Sequence, residues 1–284
     1  DGAQKTDSIH SHRVHILGFE FDGTACFRKG TVNGPNACRI ISDGIETYSP
    51  YLDLDTEDLP TYYDLGNLQN LDEQGEQDWQ RATDQFLAAF DMDLQQTGVR
   101  TLLIGGEHSV SYAPIRRYLE SYPDLVLLHL DAHADLRDGY LGYHHSHASI
   151  IRRALDHFGP KHSLIQYGIR SGTKDEYQWM RKENTLCTSR HQFLERVRNI
   201  SADRPIYLTL DLDYFDPCYL PGTGTPEAGG EDFHSFISLM KILKDKNFVG
   251  ADVVELSPEI DPTGNSDVFA AKVIREILLL LGAS

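Results

Sequence analysis

Leu125-Val126-Leu127-Leu128-His129-Leu130-Asp131-Ala132-His133-Ala134-Asp135 is the stretch on which the fold turns. An apolar run of strand length ends in three side chains that can all bind a metal. In an extended segment alternate residues point to one face, so Asp131, His133 and Asp135 can converge on one spot. Two carboxylates and an imidazole at that spacing suit a hard divalent cation and do not suit a core. Taken alone, the stretch also fits a polar turn after a buried strand, with Asp135 capping a helix.

Working outward, similar apolar runs recur between helical patterns. Val14–Phe19, Tyr62–Gly66, Val99–Ile104, Ser163–Ile169, Ile206–Asp211 and Val249–Glu255 read as further strands. Helices are expected from Asn33-Gly34-Pro35 to about Thr47, with Asn33 as cap, and from Glu76 to Gln96, ended by Gly98. More are expected from Ser111 to Leu119, from Ser146, over Tyr177–Lys182 and Gln192–Val197, and over Phe233–Leu243 and Val268–Leu281. Trp79, Ala82, Phe86, Ala89, Phe90 and Leu94 form a core stripe. Strands alternate with helices and no linker divides them. This predicts one three-layer α/β/α domain over residues 14–284 with a mostly parallel sheet, after a polar lead-in over residues 1–13. His10, His12 and His15 at that end lack carboxylate partners and read as surface residues.

The chain has 284 residues, of which 40% are hydrophobic and 24% charged, enough for a large core. Its formal net charge of -17 would repel nucleic acid, and no basic patch offsets it. Such a surface attracts a small cation, although solubility alone also explains an acidic surplus. No apolar run is long enough to cross a membrane. Cys26, Cys38, Cys187 and Cys218 stand far apart with no CxxC pair and no signal-peptide pattern, which points to reduced thiols and a cytoplasmic setting.

In a parallel sheet the binding crevice lies beyond the carboxyl ends of the strands. Four strand ends carry ligand-type residues: His108 after Gly105-Gly106-Glu107, the Asp131/His133/Asp135 set, the Asp211/Asp213 pair, and Glu255. Each has an ordinary alternative as a helix cap, a turn acid or an edge carboxylate. Together at one end of one sheet they would repel unless cations sat between them. Two divalent ions answer that need, and carboxylates mixed with imidazoles suit Mn²⁺ better than Mg²⁺, with zinc or iron also open by ligand type. Such a site activates water, so the chemistry implied is hydrolysis. His129 lies inside its strand and reads as a satisfied core histidine.

The motifs Gly-Gly-Glu-His-Ser, Asp-Ala-His-Ala-Asp, Ser-His-Ala-Ser, Asp-Leu-Asp-Tyr-Phe-Asp-Pro, Pro-Gly-Thr-Gly-Thr-Pro-Glu-Ala-Gly-Gly and Val-Val-Glu-Leu-Ser-Pro follow one another in this order. With the early Phe21-Asp22-Gly23-Thr24, Arg28 and Gly30, they resemble the ureohydrolases, the arginase and agmatinase family, from about Gly18 to Leu281. The resemblance implies two Mn²⁺ per subunit. His108, Asp131, Asp135 and Asp211 would hold one, and His133 and Asp213, with shared Asp131 and Asp211, the other. It further implies a metal-bridging hydroxide that attacks a guanidinium carbon to release urea and an amine. Asp135 would be the first proton relay, His147 the shuttle to solvent, and Glu255 the acceptor for the guanidinium. Homo-oligomers, commonly trimers or hexamers, are implied too.

Two segments bear on the substrate. Leu136–Tyr143 lacks the run of small polar residues that arginases use on the α-amino acid end, and Ser171, not an acid, follows Arg170. Both departures argue against arginase. The Ser-His-Ala-Ser and Thr-Gly-Thr-Pro-Glu forms resemble agmatinase, so hydrolysis of agmatine to putrescine and urea is expected. Guanidinobutyrase, guanidinase and arginase activities are alternatives, and a catalytically silent metal-binding member of the fold is a remote one. Tyr140, Tyr143 and Glu227 read either as residues near the mouth of the site or as structural ones, and His144 and His145 compete with His147 for the shuttle role.

Overall fold

The computed structural model describes residues 2–68 and 74–283. Its strands are β1 (Gln4–Lys5), β2 (Val14–Phe19), β3 (Tyr48–Ser49), β4 (Leu54–Asp55), β5 (Tyr63–Asn67), β6 (Arg100–Gly105), β7 (Val126–Leu130), β8 (Ser163–Tyr167), β9 (Leu186–Cys187), β10 (Ile206–Asp211) and β11 (Phe248–Val254). Its α-helices are α1 (Gly34–Ser42), α2 (Glu76–Ala89), α3 (Leu94–Thr97), α4 (Tyr112–Ser121), α5 (Ile150–Leu155), α6 (Lys174–Lys182), α7 (Arg190–Arg198), α8 (Phe233–Leu243) and α9 (Asn265–Ala283).

Nine strands form one sheet in the order β1-β5-β2-β6-β11-β10-β7-β8-β9, and every pairing in it is parallel. The apolar runs explain why: strands covered on both faces need side chains that are hydrophobic in both directions. Alternation then splits each run between two cores. Val126, Leu128 and Leu130 face the core built with α1, α7, α8 and α9, as do Ile206, Leu208 and Leu210. Leu127 and Tyr207 face the opposite core with Trp79, Phe86 and Phe90 from the α2 region and Ile115 and Tyr118 from α4. This is the expected three-layer architecture.

Several local expectations shift. The helix after Asn33 stops at Ser42 rather than Thr47; the Ser42 hydroxyl donates back to the Arg39 carbonyl, and Gly44 closes a turn onto Ile41. Asn33 does not cap it, and its amide donates instead to Glu259 at 3.3 Å. The long helical stripe is broken after Ala89, where Asp93 opens the separate α3 by accepting from the Gln96 N–H at 3.1 Å. Phe90 and Leu94 still bury on the same core, so the stripe marks burial correctly although it spans two helices, with Ala89 exposed. The lead-in contributes β1, an edge strand on β5. His15 is buried, not superficial: its Nε2 accepts from the His10 N–H at 3.0 Å and its ring stacks on Tyr63. All four cysteines are free thiols, and no helix among the described residues is long and apolar enough to cross a membrane.

Candidate metal centre

The parallel register brings the four strand ends together. Leu130 pairs with Leu210, so Asp131 and Asp211 emerge side by side from β7 and β10. Asp211 pairs with Val254, which places Glu255 just beyond β11, and His108 opens a 3₁₀ turn after β6. Asp135 and Glu255 hold left-handed φ values of 53° and 69°, a conformation that non-glycine residues adopt at a cost and that clusters at functional sites. A Cβ on Gly168 would come within 2.6 Å of the Asp131 carbonyl oxygen, so the β8 end can approach this motif only as glycine.

His108 Nδ1 lies 3.0 Å from Asp131 Oδ2, 3.2 Å from Asp135 Oδ2 and 3.4 Å from Asp211 Oδ2. His133 Nδ1 lies 2.9 Å from Asp213 Oδ2 and 3.5 Å from Asp131 Oδ1. Asp131 therefore turns one oxygen to each imidazole. Ligand-type atoms gather in two groups, His108 with His129, Asp131 and Asp135, and Asp131 with His133 and Asp213, each within a span of 4.8 Å. Asp211 belongs beside the first group by its contact with His108.

Backbone amides hold the carboxylates so that one oxygen of each stays free. Asp211 Oδ1 accepts from the Asp213 N–H at 2.8 Å, Asp213 Oδ1 from the Ala132 N–H at 3.0 Å, and Glu255 Oε1 from the His108 N–H at 2.9 Å. Arg170 clamps the same loops from behind: its guanidinium donates to the carbonyls of Asp213 at 2.6 Å and Glu227 at 2.8 Å.

The electrostatics are those of a cation cradle. Burial, then the Asp131 charge, pushes Asp135 up to about 7. Burial and the neighbouring carboxylates of Asp213 and Asp131 push Asp211 well above the carboxylate range, and burial with Glu107 does the same to Glu255. Asp131 resists its burial and is held well below that range by hydrogen bonds from His108, His129 and His133. His108 and His133 are raised by the carboxylates around them although burial opposes it. Carboxylates packed this closely call for positive charge among them. The buried Nδ1 of His108 has no hydrogen-bond partner and points into three carboxylate oxygens, so the donor set fits divalent ions.

A second polar layer lies one step back on the same sheet face, and strand alternation could have located part of it. His129 sits two residues before Asp131, and Thr209 two before Asp211; Thr209 is in register with both His129 and Asp252. His108 Nε2 lies 2.9 Å from Thr209 Oγ1, and the Thr209 hydroxyl donates to Asp252 Oδ1 at 2.7 Å. This chain fixes the proton of His108 on Nε2 and leaves Nδ1 free as a ligand. Ser111 and Tyr207 also donate to Asp252. His129 is a satisfied core histidine, as its position in the strand suggests, yet its Nε2–H donates to Asp131 at 2.8 Å while Gln166 donates to its Nδ1 at 3.1 Å. Thr209, Asp252 and Gln166 have no counterpart among the residues singled out from sequence, because their partners lie on other strands.

A cavity of about 200 Å³ opens over these residues, lined among others by His108, His133, Asp135, Tyr140, His147, Asp211 and Glu255. Arg28 donates to the carbonyls of Thr223 at 2.7 Å and Gly224 at 3.1 Å, just before the cavity-lining Thr225. Of the three imidazoles near Ser146, only His147 lines the cavity: His144 meets Arg153, and His145 stacks on Trp79 at 4.4 Å. Burial, then the nearby His133 and His108, lowers His147 to about 4. Glu227 comes within 3.9 Å of His133 Nε2 at the mouth, and Tyr143 pairs with Tyr140 through two backbone hydrogen bonds. Arg137 also lines the cavity, its guanidinium 4.6 Å from the centre of the Tyr140 ring.

The sequence profile of the Arginase family matches residues 12–280. An agmatinase of Bacillus subtilis is 39% identical over 269 residues, covering 93% of this chain and 90% of that protein. A mitochondrial guanidino acid hydrolase of Homo sapiens is 31% identical over 285 residues, covering 94% of this chain and 77% of that protein. The structure of proclavaminate amidino hydrolase from Streptomyces clavuligerus superposes with a TM-score of 0.86 at 26% identity, covering 99% of this chain and 95% of that one.

Proposed function

This chain belongs to the arginase family of hydrolases, and we propose that within it the protein is a manganese-dependent agmatinase that hydrolyses agmatine to putrescine and urea. The observation that carries the reading is Asp131, whose two oxygens face separate nitrogen-led ligand groups. His108, Asp131, Asp135 and Asp211 would hold one ion, and His133, Asp213, Asp131 and Asp211 the other. Bound there, two divalent cations would lower the pKa of water and so supply a nucleophile for the electrophilic guanidinium carbon.

The chain's own residues do the rest. Glu255 accepts hydrogen bonds from the planar guanidinium through the oxygen not used by His108, a charge-assisted contact that also orients the reacting carbon. At neutral pH Asp135, buried close to Asp131, can take a proton from the attacking water and return it to the leaving amine nitrogen. His147, neutral at that pH, passes protons between the cavity and solvent as the amine departs. A net charge of -17 draws the cationic substrate in.

A second reading has one specific observation behind it. The guanidinium of Arg137 lines the cavity with an aromatic ring and no carboxylate beside it among the described residues, an arrangement that suits the carboxylate tail of a guanidino acid. Urea release from agmatine, 4-guanidinobutyrate, arginine and guanidine, each with the Mn²⁺-loaded protein, separates the readings. Agmatine is expected to give the highest kcat/KM. A preference for 4-guanidinobutyrate that Arg137→Gln abolishes would move the assignment to the guanidino acids, and arginine as best substrate would sink both. If Mn²⁺-loaded protein releases urea from none of them, a silent metal-binding role replaces the enzyme.

A further inference from the structure

One buried group near the cavity has no part in the scheme above. Glu107 lies between Gly106 and His108, is fully buried, and is surrounded by donors. Its Oε2 accepts from the Thr24 N–H at 2.8 Å, and its Oε1 from the hydroxyls of Ser109 at 2.7 Å and of Thr24. The same Thr24 hydroxyl oxygen lies 3.2 Å from His147 Nδ1 and accepts from the His147 backbone N–H at 3.1 Å. Thr24 comes from the loop after β2, more than a hundred residues from His147, so this contact is a product of the fold.

Three donors converge on Glu107 and favour its ionised form against burial, which pushes the carboxyl up to about 7. The Thr24 hydroxyl owns a single proton, and the bond to a carboxylate oxygen is both the shorter and the charge-assisted one, so that proton goes to Glu107. Thr24 Oγ1 is left with two lone pairs. One accepts the backbone N–H of His147, and the other is placed to accept a hydrogen from His147 Nδ1, which lies nearer to Thr24 than to the Ser146 hydroxyl at 3.4 Å. With that bond made, the ring carries its proton on Nδ1, which leaves Nε2 as the free nitrogen.

We infer that Thr24, anchored by Glu107, is a positioning residue that fixes the tautomer and orientation of His147, so that Nε2 is always the nitrogen exchanging protons in the cavity. The arrangement parallels the one behind His108, where a threonine hydroxyl links an imidazole to a buried carboxylate. The two differ in outcome: Thr209 leaves Nδ1 of its histidine free, and Thr24 leaves Nε2. The inference rests on the reading of His147 as proton shuttle for its consequence in turnover, while the tautomer itself can be read without turnover.

The test uses Thr24→Val, which removes the hydroxyl at nearly constant shape, with Thr24→Ser as the conservative rescue. Long-range ¹H–¹⁵N correlation spectra of histidine-labelled protein, with the His147 signals assigned by their loss in His147→Asn, read the tautomer directly. Wild type and Thr24→Ser should show His147 protonated on Nδ1, and Thr24→Val a mixture of both tautomers. In urea release, Thr24→Val should lower kcat about tenfold to a hundredfold with KM little changed, the scale of a displaced acid–base group. Thr24→Ser should recover most of it, and Thr24→Val should cause no further loss in a His147→Asn background.

If Thr24→Val proves too unstable to purify, Thr24→Ala removes the same hydroxyl without new bulk and is read the same way. An unchanged tautomer in the variants would overturn the inference. So would an equal loss in the His147→Asn background, since Thr24 would then act through some other group. Absence of urea from the wild type would refute the agmatinase reading alone, because the spectra still decide the tautomer.

Discussion

Thr209→Val probes how far the metal centre depends on groups that never touch an ion. The change deletes one hydroxyl between the His108 ring and the Asp252 carboxylate. His108 Nε2–H loses its acceptor in a fully buried position, which costs about 1–3 kcal/mol for an unsatisfied donor. Asp252 keeps Ser111 and Tyr207 as donors, so its own loss is a single bond of about 1 kcal/mol. A total of about 2–4 kcal/mol is a sizeable share of the roughly 5–15 kcal/mol that stabilises a typical domain, yet leaves it folded. The ring is then free to turn or to move its proton to Nδ1, the nitrogen facing Asp131, Asp135 and Asp211. Loss of such outer support typically weakens metal affinity about 10- to 100-fold. Denaturant unfolding of the metal-free protein measures the first effect and Mn²⁺ titration by calorimetry the second, with Thr209→Ser as a control that keeps the hydroxyl. Mn²⁺ affinity within twofold of wild type in Thr209→Val would refute the argument that this hydroxyl sets the ligand nitrogen of His108.

Other outcomes follow from the same geometry. Asp131→Asn removes the carboxylate that faces both ligand groups, so metal content by elemental analysis should fall and urea release should drop to background; normal turnover with full metal content would contradict the bridging role. His147→Asn should slow turnover about 10²- to 10⁴-fold while leaving metal content unchanged, and a loss of metal instead would make His147 part of the cradle. His15 supplies a pH test away from the site. Burial, then the neighbouring His10, lowers it to about 4 from the ordinary 6.5. Between those values the unfolded chain binds the proton more readily, so stability falls as pH drops from 6.5 to 4 and is unaffected above that window. The gap corresponds to at most about 3 kcal/mol, and His15→Gln should flatten this acid limb in denaturant melts at stepped pH. An unchanged limb would mean that His15 takes up its proton at the same pH in both states.

Most of the fold is legible because its signals are local and redundant. Runs such as Leu125–Leu130 and Ile206–Leu210 are mostly apolar, which suits covered parallel strands alternating with helical patterns, and each carries ligand-type residues where it stops. What escaped is what depends on neighbouring strands or on competition between near-equal local choices. Thr209 and Asp252 are ordinary strand residues until the register places them beside His129 and behind His108. Glu107 and Thr24 are unremarkable in sequence, since nothing local says that a loop after β2 will meet the turn at Ser146. The stripe from Trp79 to Leu94 reads as one helix because burial keeps the helical period across the break, while Asp93 starts a new helix through its own cap. His15 looked superficial because a terminal segment without a carboxylate partner offers no hint of the Tyr63 ring that covers it.

If this cradle holds two ions and uses them on agmatine, chelator-stripped protein releases urea from agmatine only as Mn²⁺ is added back in known ratio to chain. No urea is expected without metal; activity should rise to a plateau at about two ions per chain, with putrescine formed in equal amount. Activity that survives complete metal removal, or a plateau at a single ion per chain with Asp213 dispensable, would contradict the two-ion reading.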